Sequence, residues 1–458
     1  MVRQNDIRGK AREGAGIEGL LTLYRNLKHL FNKLKIMGIT KIIIENFKTF
    51  DKIEINLDQY NVLIGANASG KSNFIQIFKF IRDISTYGLN NAIYMQGGVE
   101  FIRNSNLGIS RNLIIQIDTE SKDKGLFSIG TSKDDYLFMR DFRSTYRFEL
   151  KFKKTRANFD IINDKFDITG KIFGINKKSL EGPRSLKDKE FVEKGESTIT
   201  IKNTNQKITR EYYGRLEINQ DELYPPIFDK QLKKGTILIE HDTFSYGYFA
   251  IHKDISIFDF DPKIPKKAIP ISGKAELAED GGNLALVLKS ILENESKRRK
   301  FLNHLKFLMP IVDNIRVKPF SDKSLLFEMR EVFNKRHLPA SLISDGTINL
   351  ISLIIALYFD RNSVVILEEP EKNIHPYLIS RVVKLLRDAS ENKQIIVTTH
   401  DPEVIKYTKI ENILLMCRDK KGFSKISRPK DDKTLEIFIK NNIGVDELFI
   451  KQLLEPRK

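Results

Sequence analysis

A single cysteine, Cys417, stands in 458 residues, so the chain can close no intramolecular disulfide and build no cysteine-based zinc site. That excludes the disulfide-stapled secreted scaffolds and fits a cytoplasmic protein. Long apolar runs are missing as well. The longest, around Ile348 to Phe359, is interrupted by Asn349 and Ser352 and is too short to span a bilayer, so no membrane partner is expected. The N-terminus is basic but has neither a continuous apolar core nor a small-residue cleavage site, which excludes a secretory signal. There is no internal repeat and no low-complexity tract. Negative charge is in deficit: 60 Asp and Glu against 77 Lys and Arg leave a net charge of +17. Either a polyanionic partner such as DNA meets that excess, with release of its counterions, or Lys-, Ile- and Asn-rich usage spreads it evenly. Charge alone leaves both open. With 41% apolar and 30% charged residues, the chain reads as globular, with a large core and more than one structural unit.

Against these absences stands one stretch, Gly65-Ala66-Asn67-Ala68-Ser69-Gly70-Lys71-Ser72. An apolar run, Tyr60 to Ile64, precedes it, and the helix-like run Asn73 to Ile81 follows. Strand, glycine-rich turn and helix fit G-x-x-x-x-G-K-[ST] at every fixed position. Gly65 and Gly70 let the backbone fold tightly, so that successive N–H groups face a phosphate, and the helix from about Ser72 adds the positive end of its dipole. Lys71 reaches the β- and γ-phosphates, and the Ser72 hydroxyl can ligate Mg²⁺. Gly65 to Asn73 is therefore the expected ATP site.

Taken in order, residues 1–36 begin polar and basic (Arg3, Arg8, Lys10, Arg12), and then Leu20, Leu23, Tyr24, Leu27, Phe31 and Leu34 share one helical face. Such a helix docks on its own domain or meets a membrane surface, a nucleic acid or a partner. Ile39 to Ile44, Asn46 to Phe50 and Ile53 to Ile55 are strand-like. From about 125 to 270 the character changes: Tyr146, Phe148, Leu150 and Phe152 alternate with charged neighbours, the pattern of a half-buried antiparallel strand. Similar strands are expected at Phe159 to Ile162, Thr198 to Ile201 and Thr236 to Glu240, separated by turn-rich stretches such as Gly182 to Lys189, with the Pro-rich segment Pro262 to Pro270 closing the region. Helices follow. Leu284, Val287, Leu288, Ile291 and Leu292 form one stripe, with Asp280 or Asn283 as candidate caps. A second helix runs from about Lys297 to Met309, with the cations Lys297, Arg298, Arg299 and Lys300 at its start, where they oppose the dipole. That cluster is either a solvated face or a contact for an external anion.

Three later stretches carry chemistry. Ser344-Asp345-Gly346-Thr347 opens an amphipathic helix and offers a hydroxyl and backbone N–H groups to an anion. Val364 to Leu367 reads as a buried parallel strand, whose C-terminal end delivers Glu368 and Glu369 where open α/β sheets place their ligands. Glu368 would support Mg²⁺, and Glu369 would polarise an attacking water. A third apolar strand, Gln394 to Thr399, ends at His400, whose imidazole can hydrogen-bond a γ-phosphate.

Together these residues resemble the ABC-type ATPase heads of the SMC, RecF and OLD group, in its standalone form without a long coiled coil. Glu45 to Phe50 is similar to that group's opening strand motif, Gly65 to Ser72 to Walker A, and Ser344 to Thr347 to the signature. Val364 to Glu369 is similar to Walker B, Glu371-Lys372-Asn373-Ile374-His375-Pro376 to the D-loop, and His400 to the switch histidine. The resemblance implies an α/β P-loop NTPase fold, with a mixed sheet flanked by helices and a β-rich insertion between the Walker A and signature halves. The divisions are then an N-terminal extension (1–36), a first head segment (37–124), the insertion (125–270), a helical connection and strand (271–335) and a second head segment (336–458). It also implies an ATPase using ATP and Mg²⁺, with catalytic residues Glu369, His400 and Lys71 and metal-binding residues Ser72 and Glu368. Two copies would face head to tail, each signature completing the other's ATP site, with DNA or a protein as the further partner. The sequence departs from the pattern in places. Glu368 stands where Asp is usual, and Asp345-Gly346-Thr347 replaces Gly-Gly-Gln. The nearest candidate for a Q-loop glutamine is Gln96. The region after His400 is too short for a Toprim nuclease domain and has no Asp-x-Asp cluster. The long insertion and the Glu-Glu-Pro-Glu ending disfavour a transporter subunit. A regulatory ATPase that switches a protein partner stands beside one that acts on DNA in repair, maintenance or defence.

Overall fold

A computed structural model describes residues 37–121, 127–131, 134–153, 158–177, 191–214, 232–241 and 254–429. The amphipathic stretch expected in 1–36 and the turn-rich 182–189 lie outside them. The chain opens with strands β1 (Met37–Phe47), β2 (Phe50–Asn56) and β3 (Tyr60–Ile64) and helices α1 (Lys71–Tyr87), α2 (Leu89–Met95) and α3 (Val99–Ile102). Six strands follow: β4 (Leu113–Ser121), β5 (Phe127–Thr131), β6 (Asp135–Phe152), β7 (Phe159–Asn176), β8 (Val192–Thr204) and β9 (Lys207–Gly214). After β10 (Ile255–Phe258) and β11 (Ile269–Pro270) come α4 (Leu284–Glu293), α5 (Glu295–Leu308), β12 (Val312–Ser321), β13 (Ser324–Glu331) and β14 (Leu338–Pro339). The last described elements are α6 (Asp345–Tyr358), β15 (Val364–Glu368), α7 (Pro376–Ser390), β16 (Gln394–Thr399), α8 (Pro402–Lys406), β17 (Ile413–Arg418) and β18 (Ser424–Ser427). They fall into two compact units. Of the described residues, those in 37–45 and 83–241 belong to the first, and those in 46–82 and 254–429 to the second.

The first unit is built on an antiparallel sheet with neighbours in the order β1-β4-β6-β7-β8-β9 and β5 paired to β6. Its strands form for the expected reason: Tyr146, Phe148, Leu150 and Phe152 are buried while their neighbours stay half-exposed or exposed. A bulge in the β6–β7 register falls at Asp141, which has φ +47°. Within β7, Asp164 is buried and accepts hydrogen bonds from Tyr146 Oη (2.8 Å), Asn203 Nδ2 (2.9 Å) and the Leu238 N–H (2.8 Å). Burial pushes its carboxyl up to about 7. This cluster also explains a misreading. Thr236 to Glu240 is not a strand; Leu238–Glu240 forms one 3₁₀ turn, because Asp164 takes the Leu238 N–H and the Glu240 carboxylate takes that of Ile237 at 2.7 Å.

The second unit holds a sheet in the order β10-β15-β16-β3-β17-β18, parallel except for β18. Val62–Ile64, Val364–Leu367 and Ile395–Val397 are almost fully buried, as β-branched strands covered on both faces must be. A smaller antiparallel sheet, β11-β13-β12 with β14 on β13, and helices α4–α7 share the same core. Helix α6 was expected to be amphipathic, yet every residue from Ile348 to Leu357 is buried, so it runs through the core rather than over it. In α5, Asn294 caps the first turn by accepting the Lys297 N–H at 3.0 Å, and Lys297, Arg298, Arg299 and Lys300 are exposed.

Candidate active site

Three adjacent parallel strands end together. Ile64 of β3 pairs with Thr399 of β16, and Thr398 pairs with Glu368 of β15. The phosphate loop, His400 and the two glutamates therefore leave the sheet at one edge, the edge where parallel α/β sheets bind ligands.

The loop itself is held from outside. Gly70 has φ +116°, a conformation costly for any residue with a Cβ, and a Cβ there would run into Ser424. Ser424 Oγ instead donates to the Ser69 carbonyl at 2.7 Å, and Arg418 Nε donates to the Ala68 carbonyl at 2.7 Å. Thr49 Oγ1 accepts from Asn73 Nδ2 (3.0 Å) and lies 2.9 Å from Ser424 Oγ, to which its own hydroxyl can donate. Ala66, Asn67 and Ala68 form the exposed rim, while Gly65, Ser69, Gly70 and Lys71 are buried. Lys71 folds back, donating to the carbonyls of Gly65 (2.8 Å) and Ala66 (3.1 Å). Burial lowers its ammonium pKa against the opposing pull of Glu369, Glu368 and Glu371.

At the end of β15, Glu368 Oε1 accepts the Ser72 hydroxyl at 2.6 Å. Burial is the chief cause that raises the Glu368 carboxyl, opposed by that hydrogen bond. Glu369 sits in the left-handed region with φ +44°, its N–H held by the Thr398 carbonyl at 3.0 Å. A non-glycine residue held there marks a turn that the surroundings enforce. Glu369 Oε1 lies 2.6 Å from His400 Nδ1, with the two side chains 27% and 49% exposed. A carboxylate with an imidazole at that distance, open to solvent, has the geometry of a base beside a hydrogen-bonding partner.

Ser344 is the N-cap of α6, accepting the Thr347 N–H at 3.2 Å, and Asp345 pairs with Lys266 at 2.5 Å. Gly346 is needed for close approach: a Cβ would collide with the Asn373 carbonyl. Asn349 Nδ2 donates to the Lys372 carbonyl at 2.7 Å, so the turn at 344–347 and the loop after β15 form one packed piece. Among the described residues, Ser344–Thr347 share no hydrogen bond or ion pair with Gly65–Asn73. Gln96 belongs to the first unit, at the C-cap of α2. Sequence reasoning missed Arg418 and Ser424, which lie 350 and 355 residues from the carbonyls they hold and carry no local signal. Thr49 falls within the opening strand motif and could have been found there.

A phosphate loop, a hydroxyl–carboxylate pair and a second glutamate on a histidine, all at one sheet edge, define a P-loop ATPase. Residues 60–406 match the family described as "AAA domain, putative AbiEii toxin, Type IV TA system", and the chain belongs to it. It is similar to an ATP/GTP phosphatase of Helicobacter pylori, at 20% identity over 80% of this chain and 86% of the relative. It is also similar to Endonuclease GajA of Bacillus cereus, at 42% identity over 60 residues, or 13% of this chain and 10% of the relative's length. Among solved structures it resembles the Smc head domain from Pyrococcus furiosus bound to the C-terminal domain of ScpA. There the TM-score is 0.44 at 15% identity, over 89% of this chain and 100% of that one. Among the described residues no helix is long and apolar enough to cross a membrane.

Proposed function

We propose that this ATPase works as an ATP-dependent, head-to-tail homodimer that acts on DNA. The observation that carries the hydrolytic part is the Glu369–His400 contact at the strand ends beside the phosphate loop. Lys71 leaves its loop carbonyls for the β- and γ-phosphates of bound ATP. Ser72 and Glu368, a hydroxyl and a carboxylate already in contact, form the oxygen donor set that suits Mg²⁺. When bound, the ion neutralises charge on the phosphates. Glu369 accepts the proton of the attacking water, and His400 hydrogen-bonds the γ-phosphate and holds the Glu369 carboxylate. Ser344–Thr347, capped but half-open, supply N–H and hydroxyl donors to the nucleotide of the second copy. The net charge of +17 and the exposed run Lys297–Lys300 support DNA as the further partner.

Glu369→Gln tests the reading. Turnover should fall about 10²-fold or more, and light scattering should show a dimer that accumulates only with ATP. A Glu369→Gln protein that still hydrolyses at the wild-type rate, or stays monomeric with ATP, refutes it. Turnover measured with duplex DNA across a salt series tests the partner. Stimulation that fades steeply with salt is the expected result, and indifference to DNA at low salt transfers the role to a protein.

A further inference from the structure

The loop between β15 and α7 carries a carboxylate with no part in the chemistry above. Glu371 is 6% exposed. Its Oε1 accepts the Thr399 hydroxyl, and its Oε2 is buried without a hydrogen-bond partner among the described residues. The Thr399 hydroxyl in turn accepts the Asp401 N–H at 2.9 Å. The residues on both sides of His400 are thus tied to Glu371 through one hydroxyl.

The backbone around Glu371 is fixed as well. The Lys372 N–H donates to the Glu369 carbonyl at 3.0 Å, and the Ile374 N–H to the Glu371 carbonyl at 2.9 Å. The carbonyls of Lys372 and Asn373 meet Asn349 and Gly346. Contacts therefore run without a break from the turn at 344–347, through 372–374, to Glu371 and on to His400. Asp401 and Glu369 face Glu371 with like charge, and Lys71 and Tyr60 lie within its electrostatic reach. Burial pushes the carboxyl up to about 7. A half-partnered buried carboxyl is costly, and an apolar side chain would serve packing better.

We propose that Glu371 is a positioning residue for hydrolysis: by holding Thr399 it fixes His400 against Glu369, and it links that pair to the signature-like turn. The inference rests on reading Glu369 and His400 as the hydrolytic pair. Steady-state kcat and KM for ATP of the full chain test it with Glu371→Ala, Glu371→Gln, Thr399→Val and Glu369→Gln. Glu371→Ala and Thr399→Val should each lower kcat by roughly ten- to a hundredfold, the cost of a misplaced reacting group, with KM unchanged. The double variant should be no worse than the lower single. Glu371→Gln keeps an oxygen that accepts from Thr399, so it should restore most of kcat. The proposal falls if Glu371→Ala or Thr399→Val keeps the wild-type kcat, if the loss lies in KM, or if Glu371→Gln is as slow as Glu371→Ala. Should Glu371→Ala fail to fold, the pair Thr399→Val and Glu371→Gln decides. Wild-type turnover in Glu369→Gln would overturn the hydrolytic reading itself. A slow Glu369→Gln beside a fast Glu371→Ala would overturn only this inference.

Discussion

Removing one methylene from Glu368 tests whether the carboxylate at the end of β15 is set by reach as well as by charge. Its Oε1 lies 2.6 Å from Ser72 Oγ. Glu368→Asp withdraws the carboxylate by one C–C bond, about 1.5 Å. That leaves a gap of about 4 Å, outside hydrogen-bond range. The strand cannot follow, because Val364–Leu367 are buried and paired on both edges, to β10 and to β16. Losing a group that orients a metal's ligands costs about 10–100-fold in metal affinity. The Mg²⁺ concentration for half-maximal ATP hydrolysis should therefore rise by about that factor, while the rate at saturating Mg²⁺ recovers. The assay is turnover at fixed ATP against free Mg²⁺, with wild type and Glu368→Gln as the two bounds. An unchanged Mg²⁺ dependence in Glu368→Asp would refute the reasoning and detach the Ser72–Glu368 contact from the metal.

Gly346→Ala drives a methyl into the Asn373 carbonyl, an overpacking of about 1–3 kcal/mol. It should lower the melting temperature and slow turnover while ATP binding to the phosphate loop persists; wild-type turnover would show that the loop yields freely. Asp164 gives a pH signature. Its carboxyl rises from 3.8 to about 7 on folding, so the folded state binds the proton more tightly and stability falls as pH rises between about 4 and 7. Three units amount to about 4 kcal/mol over that whole window. Asp164→Asn lacks this slope, so amide protection of β7 and β8 in the variant should gain on wild type between pH 5 and 8. Parallel profiles would contradict the assignment.

The pieces of the candidate site were legible because each is contiguous: a loop between strand and helix, a pair of acids after an apolar run, a histidine after another. Strand ends must meet once three parallel strands are neighbours, so motif order alone gathered Gly65–Ser72, Glu368, Glu369 and His400. What holds those pieces was not legible. Arg418 ends β17 and Ser424 begins β18, and nothing in their sequence neighbourhood refers to Ala68 or Ser69. Glu371 appeared only as part of a D-loop-like string, since its work depends on Thr399 lying against it across a sheet edge. Thr236 to Glu240 failed for a related reason. Ile237, Leu238 and Ile239 have strand composition, but two carboxylates capture the backbone N–H groups that a strand would need. Local propensity gives way where side-chain carboxyls take the backbone donors that a strand would pair.

The clamp on the phosphate loop also sets the order of events during synthesis. Ser69 leaves the ribosome 355 residues before the Ser424 that holds its carbonyl, and both strands flanking β3 come from the C-terminal half of the chain. At about 5–20 residues per second the interval is roughly 20–70 s. Until β16 is made, β3 has no parallel neighbour, and until β18 is made the loop has no Ser424 clamp. The clamped loop geometry is therefore complete only once the chain through β18 is available to fold.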